Sequence, residues 1–340
     1  MQGEKLLSDR GIEDMSIKTV REALNEAFAE EMERDCKVFV MGCDNGVKGN
    51  PFGVTLGLAE RFGLDRVIDT PISEPAFMGM GVGAAITGMR PIVEIMFCDW
   101  VTLAMDQIVN MAAKMRYMFG GKVEMPLVIR VPIGAGGGQA AQHSQSLESW
   151  FNHVPGLKVV APYSPADCKG LLKAAIRDNN PVIFLENKRT YAVKGEVPDD
   201  DYLVEIGKAA VAREGSDITL ITYSGMVRTC LQAAEKLKEE GISCEVIDLR
   251  TLLPLDYDTV LASVKKTGRV VVVHEASKRG GMGSDIVAEI NERAFDYLDA
   301  PPLRVGALNI PIPYNATLES AVLPDVRDVL DAVHKSMSND

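Results

Sequence analysis

Apolar residues recur along this chain with two alternating spacings. Short runs such as Val38 to Met41, Leu127 to Val131 and Val182 to Glu186 are almost wholly apolar, which is typical of strands buried on both faces. Between such runs, apolar residues recur every three or four positions, for example from Ile17 to Met32 and from Pro165 to Arg177, as in helices that bury one face. This alternation predicts an α/β fold with mostly parallel, doubly wound sheets.

The alternation stops at the polar segment KRTYAVKGEVPDDD, which contains Gly and Pro and has no periodicity. We therefore predict two domains, at residues 16–187 and 205–340, joined by a linker over 188–204. The polar, acidic residues 1–15 are expected to form a flexible N-terminal tail.

Two further helices are predicted from the pattern. A long helix from Val101 to Met118 carries apolar residues, several of them methionines, at helical spacing, and this stripe favours a core or subunit-interface position. A terminal helix is expected from Leu318 to about Met337, and Thr19 with Glu22 is expected to form a capping box near the start of the first helix.

Candidate chemistry is densest between Asp69 and Trp100. Pro75 predicts the first turn of a helix, so Glu74 is expected at its N-cap, and this helix is rich in glycine. Trp100 follows the next predicted strand. A carboxylate and an aromatic residue at the carboxyl ends of strands are placed as in the ligand sites of open α/β sheets. A glutamate at a helix start is, by itself, more often only a cap.

A second candidate is the loop GAGGGQAAQHSQS, from Gly134 to Ser146, which contains His143. Long glycine-rich loops within compact domains are usually functional, and a histidine there can transfer protons near neutral pH. The residues alone thus predict a two-domain α/β protein whose site contains Glu, Trp and His.

Composition narrows the class of protein. The net charge of −12 argues against nucleic acid as a partner, and no apolar run has the length of a membrane span. The N-terminal residues resemble neither a signal peptide nor a transit peptide, so a cytoplasmic location is expected. The six cysteines show no C-x-x-C spacing, which is typical of reduced cysteines, and no histidine spacing suggests a metal site.

Several motifs then occur in an order that carries a family resemblance. DTPISE, G-x-G-x-G-A-A, RPIVE, AAQHSQS, PGLKVVAP, AIRDNNPVIFLEN, DLRTLLPLD and HEASKRGGMGSDI follow one another over about Ser16 to Met337. Together they resemble the beta subunit of the thiamine-diphosphate-dependent first component of 2-oxo acid dehydrogenase complexes, a family that includes acetoin dehydrogenase. The resemblance implies a transketolase-like pyrimidine-binding domain followed by a transketolase C-terminal domain.

The resemblance also assigns roles to matched residues. Glu74 would hydrogen-bond the pyrimidine ring of thiamine diphosphate and favour its reactive tautomer. Trp100, where relatives have Phe or Tyr, would stack on that ring, with Phe97 beside the cofactor. His143 matches the histidine proposed to transfer protons or to receive the lipoyl group, a role worth about 10²–10⁴ in rate.

Ion sites follow from the same resemblance. The G-D-G motif that holds the diphosphate through Mg²⁺ is absent from this sequence, and the family places it on an alpha subunit. The chain should therefore hold half a site within an α2β2 heterotetramer. A structural K⁺ would be bound by carbonyl groups, those of Leu127, Ala175, Ile176, Asp178 and Asn180; the alternative is an ordinary helix end and turn.

The expected reaction is oxidative decarboxylation of a 2-oxo acid, or cleavage of acetoin, with acyl transfer to lipoamide on a dihydrolipoyl acyltransferase core. Pyruvate, branched-chain 2-oxo acids and acetoin are the candidate substrates, and the segment Arg116 to Lys122 is most similar to acetoin-type members. Two alternatives stay open: a non-catalytic scaffold subunit that docks the acyltransferase, and a single-chain transketolase-class enzyme. The missing G-D-G motif disfavours the second, and the presence together of Glu74, Trp100 and His143 disfavours the first.

Overall fold

The computed structural model describes residues 15–46 and 48–338, and its contacts divide the chain into two compact units. The first unit contains residues up to 133 together with 150–206, and the second contains 134–149 and the residues from 207 onward. This division differs from the predicted domains in two respects. Residues 134–149 belong to the second unit, and the predicted linker, 188–204, belongs to the first. Of the predicted tail, residues 1–14 lie outside the described residues, and Met15 begins a strand.

The first unit is built on a parallel sheet, as the apolar runs predict. Its strands are β1 (Met15–Thr19), β2 (Val38–Gly42), β3 (Val67–Asp69), β4 (Arg90–Glu94), β5 (Val128–Ile133), β6 (Lys158–Val160), β7 (Val182–Asn187) and β8 (Lys194–Pro198). Six of them run parallel in the order β6-β7-β5-β4-β2-β3. Every residue of β2, β5 and β7 is buried, because helices cover both faces of the sheet.

Helices connect these strands. They are α1 (Val20–Arg34), α2 (Leu58–Phe62), α3 (Glu74–Ile86), α4 (Ala113–Met118), α5 (Glu148–Asn152) and α6 (Pro165–Arg177). The predicted capping box is confirmed: the Thr19 side chain accepts from the backbone N–H of Glu22, whose carboxylate accepts from the N–H of Thr19. Helices α1 and α6 pack on one side of the sheet, where Leu24, Phe28 and Leu172 are among the buried core residues.

Two predicted elements of this unit are wrong in their extent. The first helix begins at Val20 rather than Ile17, because residues 15–19 pair antiparallel with β8, inside the predicted linker. The predicted helix from Val101 to Met118 is divided into a 3₁₀ helix over Cys98–Ala104, a π-helical segment over Gln107–Ala112 and α4. Its apolar stripe is only partly buried: Ile108 is inside, whereas Met111 and Met118 are exposed.

The second unit contains a smaller, mixed sheet. The strands of this unit are β9 (Ala210–Arg213), β10 (Ile218–Thr222), β11 (Cys244–Asp248), β12 (Thr251–Leu253), β13 (Val270–Ser277) and β14 (Leu303–Ala307), and β12 lies outside this sheet. Five of them follow the order β14-β13-β10-β11-β9, and all neighbours are parallel except β9, which runs antiparallel to β11 at the edge. The predicted α/β class is confirmed, with one antiparallel edge strand added.

Five helices complete the second unit: α7 (Met226–Glu239), α8 (Tyr257–Thr267), α9 (Met282–Ala294), α10 (Ala316–Val322) and α11 (Val326–Ser338). The predicted terminal helix is two helices, α10 and α11. Pro324 separates them, since proline lacks the N–H that a continuous helix would need. The core beneath α7 and α11 contains Ile218, Leu237 and Val329, all fully buried.

Candidate active site

The order of the strands places two segments of the predicted site at the carboxyl ends of the parallel strands in the first unit. Strand β2 pairs with β3 on one side and with β4 on the other, all parallel, so their carboxyl ends lie together. Glu74 follows β3 after four residues, and Phe97 and Trp100 follow β4. The predicted position of Glu74 and Trp100 at the carboxyl ends of strands, where ligands bind in open α/β sheets, is therefore confirmed, while Phe97 lies beyond β4 and not inside the predicted strand.

Glu74 is the first residue of α3, and the predicted N-cap assignment is wrong. The N-cap is Ser73, whose side chain makes no capping hydrogen bond, and Pro75 follows Glu74 in the first turn. The side chain of Glu74 is 5% exposed, and none of the hydrogen bonds or ion pairs between described residues involves its carboxylate. Its oxygens are not among the fully buried, unpartnered side-chain atoms, so this acceptor stays open to a ligand that donates a hydrogen bond to it.

Close packing holds α3 against the sheet. A Cβ atom on Gly81 would lie 2.5 Å from Cγ2 of Val93 on β4, so only glycine allows this approach. Around a Cβ on Gly83, two residues further along and on the opposite side of the helix, no atom of the described chain lies within 4 Å. The glycines of α3 thus have different environments, and the exposed one leaves backbone accessible to another chain.

An aromatic cluster lies beside this edge. The rings of Phe97 and Trp100 meet edge to face, with centroids 5.1 Å apart, and Phe52 meets Phe97 in the same way at 5.6 Å. The Lys188 ammonium lies 5.0 Å from the centroid of Phe97. Phe97 is buried within the cluster and Trp100 is partly exposed, so Trp100 is the ring better placed to stack on a ligand.

A buried network of charged side chains joins three neighbouring strands of this sheet, β4, β5 and β7. The sequence analysis did not predict it. The Arg130 guanidinium donates to both oxygens of Glu186, each at 2.6 Å, and also to Glu94. Glu94 further accepts from the Asn50 amide at 2.9 Å, which ties the loop after β2 to β4. The hydroxyl of Tyr191 donates to Glu186 at 2.8 Å. The only available signal was a charged residue inside each of three apolar strands.

Burial and neighbouring charges act in opposite directions on this network. Burial lowers the pKa of Arg130, but the adjacent carboxylates of Glu186 and Glu94 outweigh this effect and raise it above the ordinary value. Burial raises the pKa of Glu94 despite the nearby guanidinium. Removing one partner would leave an uncompensated buried charge, so the network fixes the geometry of three strand ends.

His143 belongs to the second unit, on the loop from Gly134 to Ser146. The N–H of Gly134 donates to the carbonyl of Gln145 at 3.2 Å, which closes the loop at its base. The N–H of Ala135 donates to Glu275 at 2.6 Å. His143 itself is half-buried, and its neighbour Ser144 is buried. The predicted loop is therefore an ordered segment with defined anchors.

A cavity of about 330 Å³ lies beside this loop within the second unit. Its walls include Ser144, Glu275, Asn309 and Pro311. The Ser144 hydroxyl is buried and has no hydrogen-bond partner among the described residues. Polar and apolar side chains are mixed in its lining, so it suits a small amphipathic group.

Four of the five carbonyl groups predicted to bind K⁺ accept hydrogen bonds. Those of Ile176 and Asp178 accept from Arg90 at 2.8 and 2.7 Å. Those of Leu127 and Ala175 accept from backbone N–H groups. The Asp178 side chain lies at the same turn. Hydrogen bonds from Lys158 and Asn180 lower the pKa of its carboxyl group, because they outweigh the opposite effect of burial. The Arg90 guanidinium therefore already contacts two of the five carbonyl oxygens that were predicted to bind K⁺.

None of the six cysteines forms a disulfide, and five of them are buried. Within residues 15–46 and 48–338 there is no cluster of three or more His, Cys, Asp and Glu side chains able to hold a metal ion. No helix in that part of the chain is long and apolar enough to cross a membrane.

Comparison with known families defines the class. The transketolase pyrimidine binding domain matches residues 17–194, and the transketolase C-terminal domain matches residues 207–329. The structure also resembles one described as a split gene transketolase in an inactive beta4 tetramer, with a TM-score of 0.78 and 26% identity over 94% of this chain and 98% of that chain. The protein is thus of the two-domain transketolase type, whose pyrimidine-binding domain implies thiamine diphosphate as cofactor.

Two curated relatives narrow the family. The chain is 51% identical to the pyruvate dehydrogenase E1 component subunit beta of Rhizobium meliloti, over 94% of this chain and 70% of the relative. It is 49% identical to the acetoin:2,6-dichlorophenolindophenol oxidoreductase subunit beta of Cupriavidus necator, over 94% of this chain and 97% of the relative. The chain belongs to the family of E1 beta subunits of pyruvate and acetoin dehydrogenases, which confirms the predicted resemblance.

Proposed function

We propose that this chain supplies the pyrimidine half of a thiamine diphosphate site that an alpha subunit completes. The observation that carries the proposal is the position of Glu74, a mostly buried residue at the carboxyl ends of the strands whose carboxylate accepts no hydrogen bond from the described residues. The matching pyrimidine binding domain supports the same assignment. Trp100 would lie against the pyrimidine ring, with Phe97 holding the indole in place.

The bound cofactor supplies a stabilised carbanion for cleavage next to a carbonyl group, and the protein tunes it. Glu74 would accept a hydrogen bond from the pyrimidine ring and, as an anion, favour the protonated ring nitrogen. Trp100 would orient the ring and exclude water from one face of it. His143 would move a proton to or from the reacting substrate, or serve the incoming lipoyl group.

The alpha subunit is implied by the names of the relatives, and its stoichiometry is our proposal. We propose an α2β2 heterotetramer in which the alpha subunit holds Mg²⁺ and the diphosphate. Exposed apolar side chains on the described surface support an extensive interface; they include Met80, Leu103, Met111, Tyr117 and Met118. The assembled enzyme would work in the cytoplasm and pass its acyl group to a dihydrolipoyl acyltransferase core.

We also retain a structural K⁺ as a proposal. Each carbonyl oxygen has two lone pairs, so Ile176 and Asp178 can accept from Arg90 and still ligate a cation. The carboxylate of Asp178 would offset the positive charge of the guanidinium. Asn180, Leu127 and Ala175 would complete the set.

Reconstitution tests the proposed function. The purified chain is assayed alone and after co-expression with an alpha subunit, using thiamine diphosphate, Mg²⁺ and a dye as electron acceptor. Pyruvate, a branched-chain 2-oxo acid and acetoin are compared side by side. We expect turnover of one substrate by the reconstituted enzyme and none by the chain alone. Turnover by the single chain, or none by any reconstituted enzyme that assembles and binds cofactor, would contradict the proposal.

A further inference from the structure

One buried carboxylate of the second unit is bound entirely to the backbone of the histidine loop. Glu319 lies on α10 and is 4% exposed. Its Oε1 accepts from the N–H of Gly136 at 2.8 Å, and its Oε2 accepts from the N–H of Gly138 at 3.1 Å. No cation pairs with it among the described residues. The loop amides are therefore the groups that make burial of this charge tolerable.

The loop backbone needs such acceptors. Gly134, Gly136 and Gly138 have φ values of +94°, +98° and +64°, and Ala140 has +61°. A segment with positive φ at alternate residues cannot form a regular helix or strand, so its N–H groups require other partners. Ordering several glycines also carries a large entropy loss. The carboxylate supplies two fixed acceptors where the chain itself is least constrained.

We propose that Glu319 is a positioning residue for His143, holding the segment 134–138 so that the histidine is presented in one conformation. The histidine follows this segment by five residues, and the loop is closed at its base by the bond between Gly134 and Gln145. Glu275 assists from β13 by accepting from the N–H of Ala135. The functional part of this proposal rests on the proposed role of His143; the structural part does not.

The substitution Glu319→Gln separates this role from simple space filling. Glutamine has the same shape, but only one of its two terminal atoms accepts a hydrogen bond. Its NH₂ group would face one of the two loop N–H donors, so one bond is replaced by a repulsive contact and the charge is lost. Glu292→Gln is the matched control, because Glu292 is exposed on α9.

Hydrogen–deuterium exchange measures the order of the loop without using activity. In the full chain, Glu319→Gln should accelerate exchange of peptides covering 134–146 by at least about tenfold, because one anchored amide loses its acceptor and the other loses a charged one. Peptides from α7 and β13 should exchange as in wild type, and Glu292→Gln should change neither. Unchanged loop exchange in a folded Glu319→Gln protein would overturn the proposal. If that variant does not fold, Glu275→Gln is measured against the same criterion.

A double-mutant cycle in the reconstituted enzyme tests the link to His143. If Glu319 acts through the histidine, Glu319→Gln should lower kcat in the wild-type background and have no further effect in a His143→Ala background. Equal losses in both backgrounds would overturn the positioning role. A wild-type enzyme with no activity would instead contradict the proposed function, while the exchange experiment would still decide whether Glu319 holds the loop.

Discussion

Nη2 of Arg90 lies 2.7 Å from the carbonyl oxygen of Asp178, across 88 residues of sequence. The same guanidinium donates to the carbonyl of Ile176 at 2.8 Å and to the Asn179 amide oxygen at 3.0 Å. These acceptors lie at and just beyond the end of α6, where backbone carbonyls have no helical partner. The planar guanidinium thus joins the start of β4 to the end of α6.

The first prediction concerns the geometry of this contact. Arg90→Lys keeps the charge but loses the fork that reaches three acceptors, so the free energy of unfolding should fall by about 1–3 kcal/mol. Arg279→Lys, at an exposed position, should change it by less than about 0.5 kcal/mol. Urea unfolding of the three proteins provides the comparison, and equal midpoints for wild type and Arg90→Lys would show that the fork is unimportant.

The second prediction concerns K⁺. A ligand at about 100 times its dissociation constant stabilises the folded state by roughly 2.7 kcal/mol, so a bound K⁺ should raise the melting temperature. Melting curves are recorded in KCl, NaCl and choline chloride at equal ionic strength. We expect the highest melting temperature in KCl. Superimposable curves would contradict the proposed K⁺ site.

The third prediction compares two glycines of α3. Gly81→Ala places a methyl group against Val93 and should destabilise the chain by about 1–3 kcal/mol. Gly83→Ala meets no atom of the chain and should stabilise it by about 0.5–1 kcal/mol, since alanine is the better helix former. If the exposed face of α3 contacts another subunit, Gly83→Ala should also weaken heterotetramer assembly. Thermal melting and sizing chromatography distinguish these outcomes; equal effects of the two substitutions would contradict the packing described for Gly81.

The fourth prediction concerns pH and His274, which is fully buried on β13. Burial, with smaller contributions from Arg304 and Lys278, lowers its pKa to about 4. Since the unfolded pKa is about 6.5, the unfolded chain binds a proton between these values and the folded chain does not. The stabilising effect is therefore complete above about pH 6.5 and is lost as the pH falls toward 4.

Between pH 7.5 and 5.0 this difference amounts to about 2 kcal/mol of unfolding free energy. His274→Asn keeps a donor for the Ala276 carbonyl, which Nδ1 contacts at 3.1 Å, and should remove most of this pH dependence. His153→Asn, at an exposed position, should retain it. Urea unfolding at the two pH values measures the effect, and parallel pH dependence in wild type and His274→Asn would refute the assignment.

Local signals predicted much of the fold, and their failures have physical causes. The bounds of α6 follow from Ser164, Pro165 and the residues before Pro181, all of which act within one turn of the helix. The start of α1 was predicted too early because Ile17 belongs to a strand and pairs with Glu196. These two residues are far apart in sequence, so no local pattern indicates the pairing. The break between α10 and α11 was readable from Pro324, since helices end near a proline.

The candidate site shows the same limit. Glu74 and Trp100 were predictable because each follows a strand, and parallel strands have their carboxyl ends on the same side of the sheet, whereas Phe97 was named only through the family resemblance. The Glu319 contact with Gly136 joins residues 183 positions apart, and nothing in either local sequence indicates it. The network around Arg130 is likewise formed by three strands that meet only in the folded sheet.

The central claim is that Glu74 tunes thiamine diphosphate and is more than a helix-end residue. Glu74→Gln keeps the size of the side chain and removes the negative charge. A role confined to the helix end would cost about 1 kcal/mol of stability and leave the cofactor's reactivity unchanged. A tuning role would leave folding and assembly intact and lower that reactivity greatly. Glu292→Gln again serves as the control.

The most direct measurement is the rate at which the acidic thiazolium proton of the bound cofactor exchanges for deuterium in the reconstituted enzyme. It is made at saturating thiamine diphosphate, so that weaker binding cannot imitate slower exchange. The account predicts that Glu74→Gln slows this exchange by at least about 100-fold, the scale of a lost acid–base contribution, while Glu292→Gln leaves it unchanged. Exchange at the wild-type rate in an assembled, cofactor-saturated Glu74→Gln enzyme would contradict it.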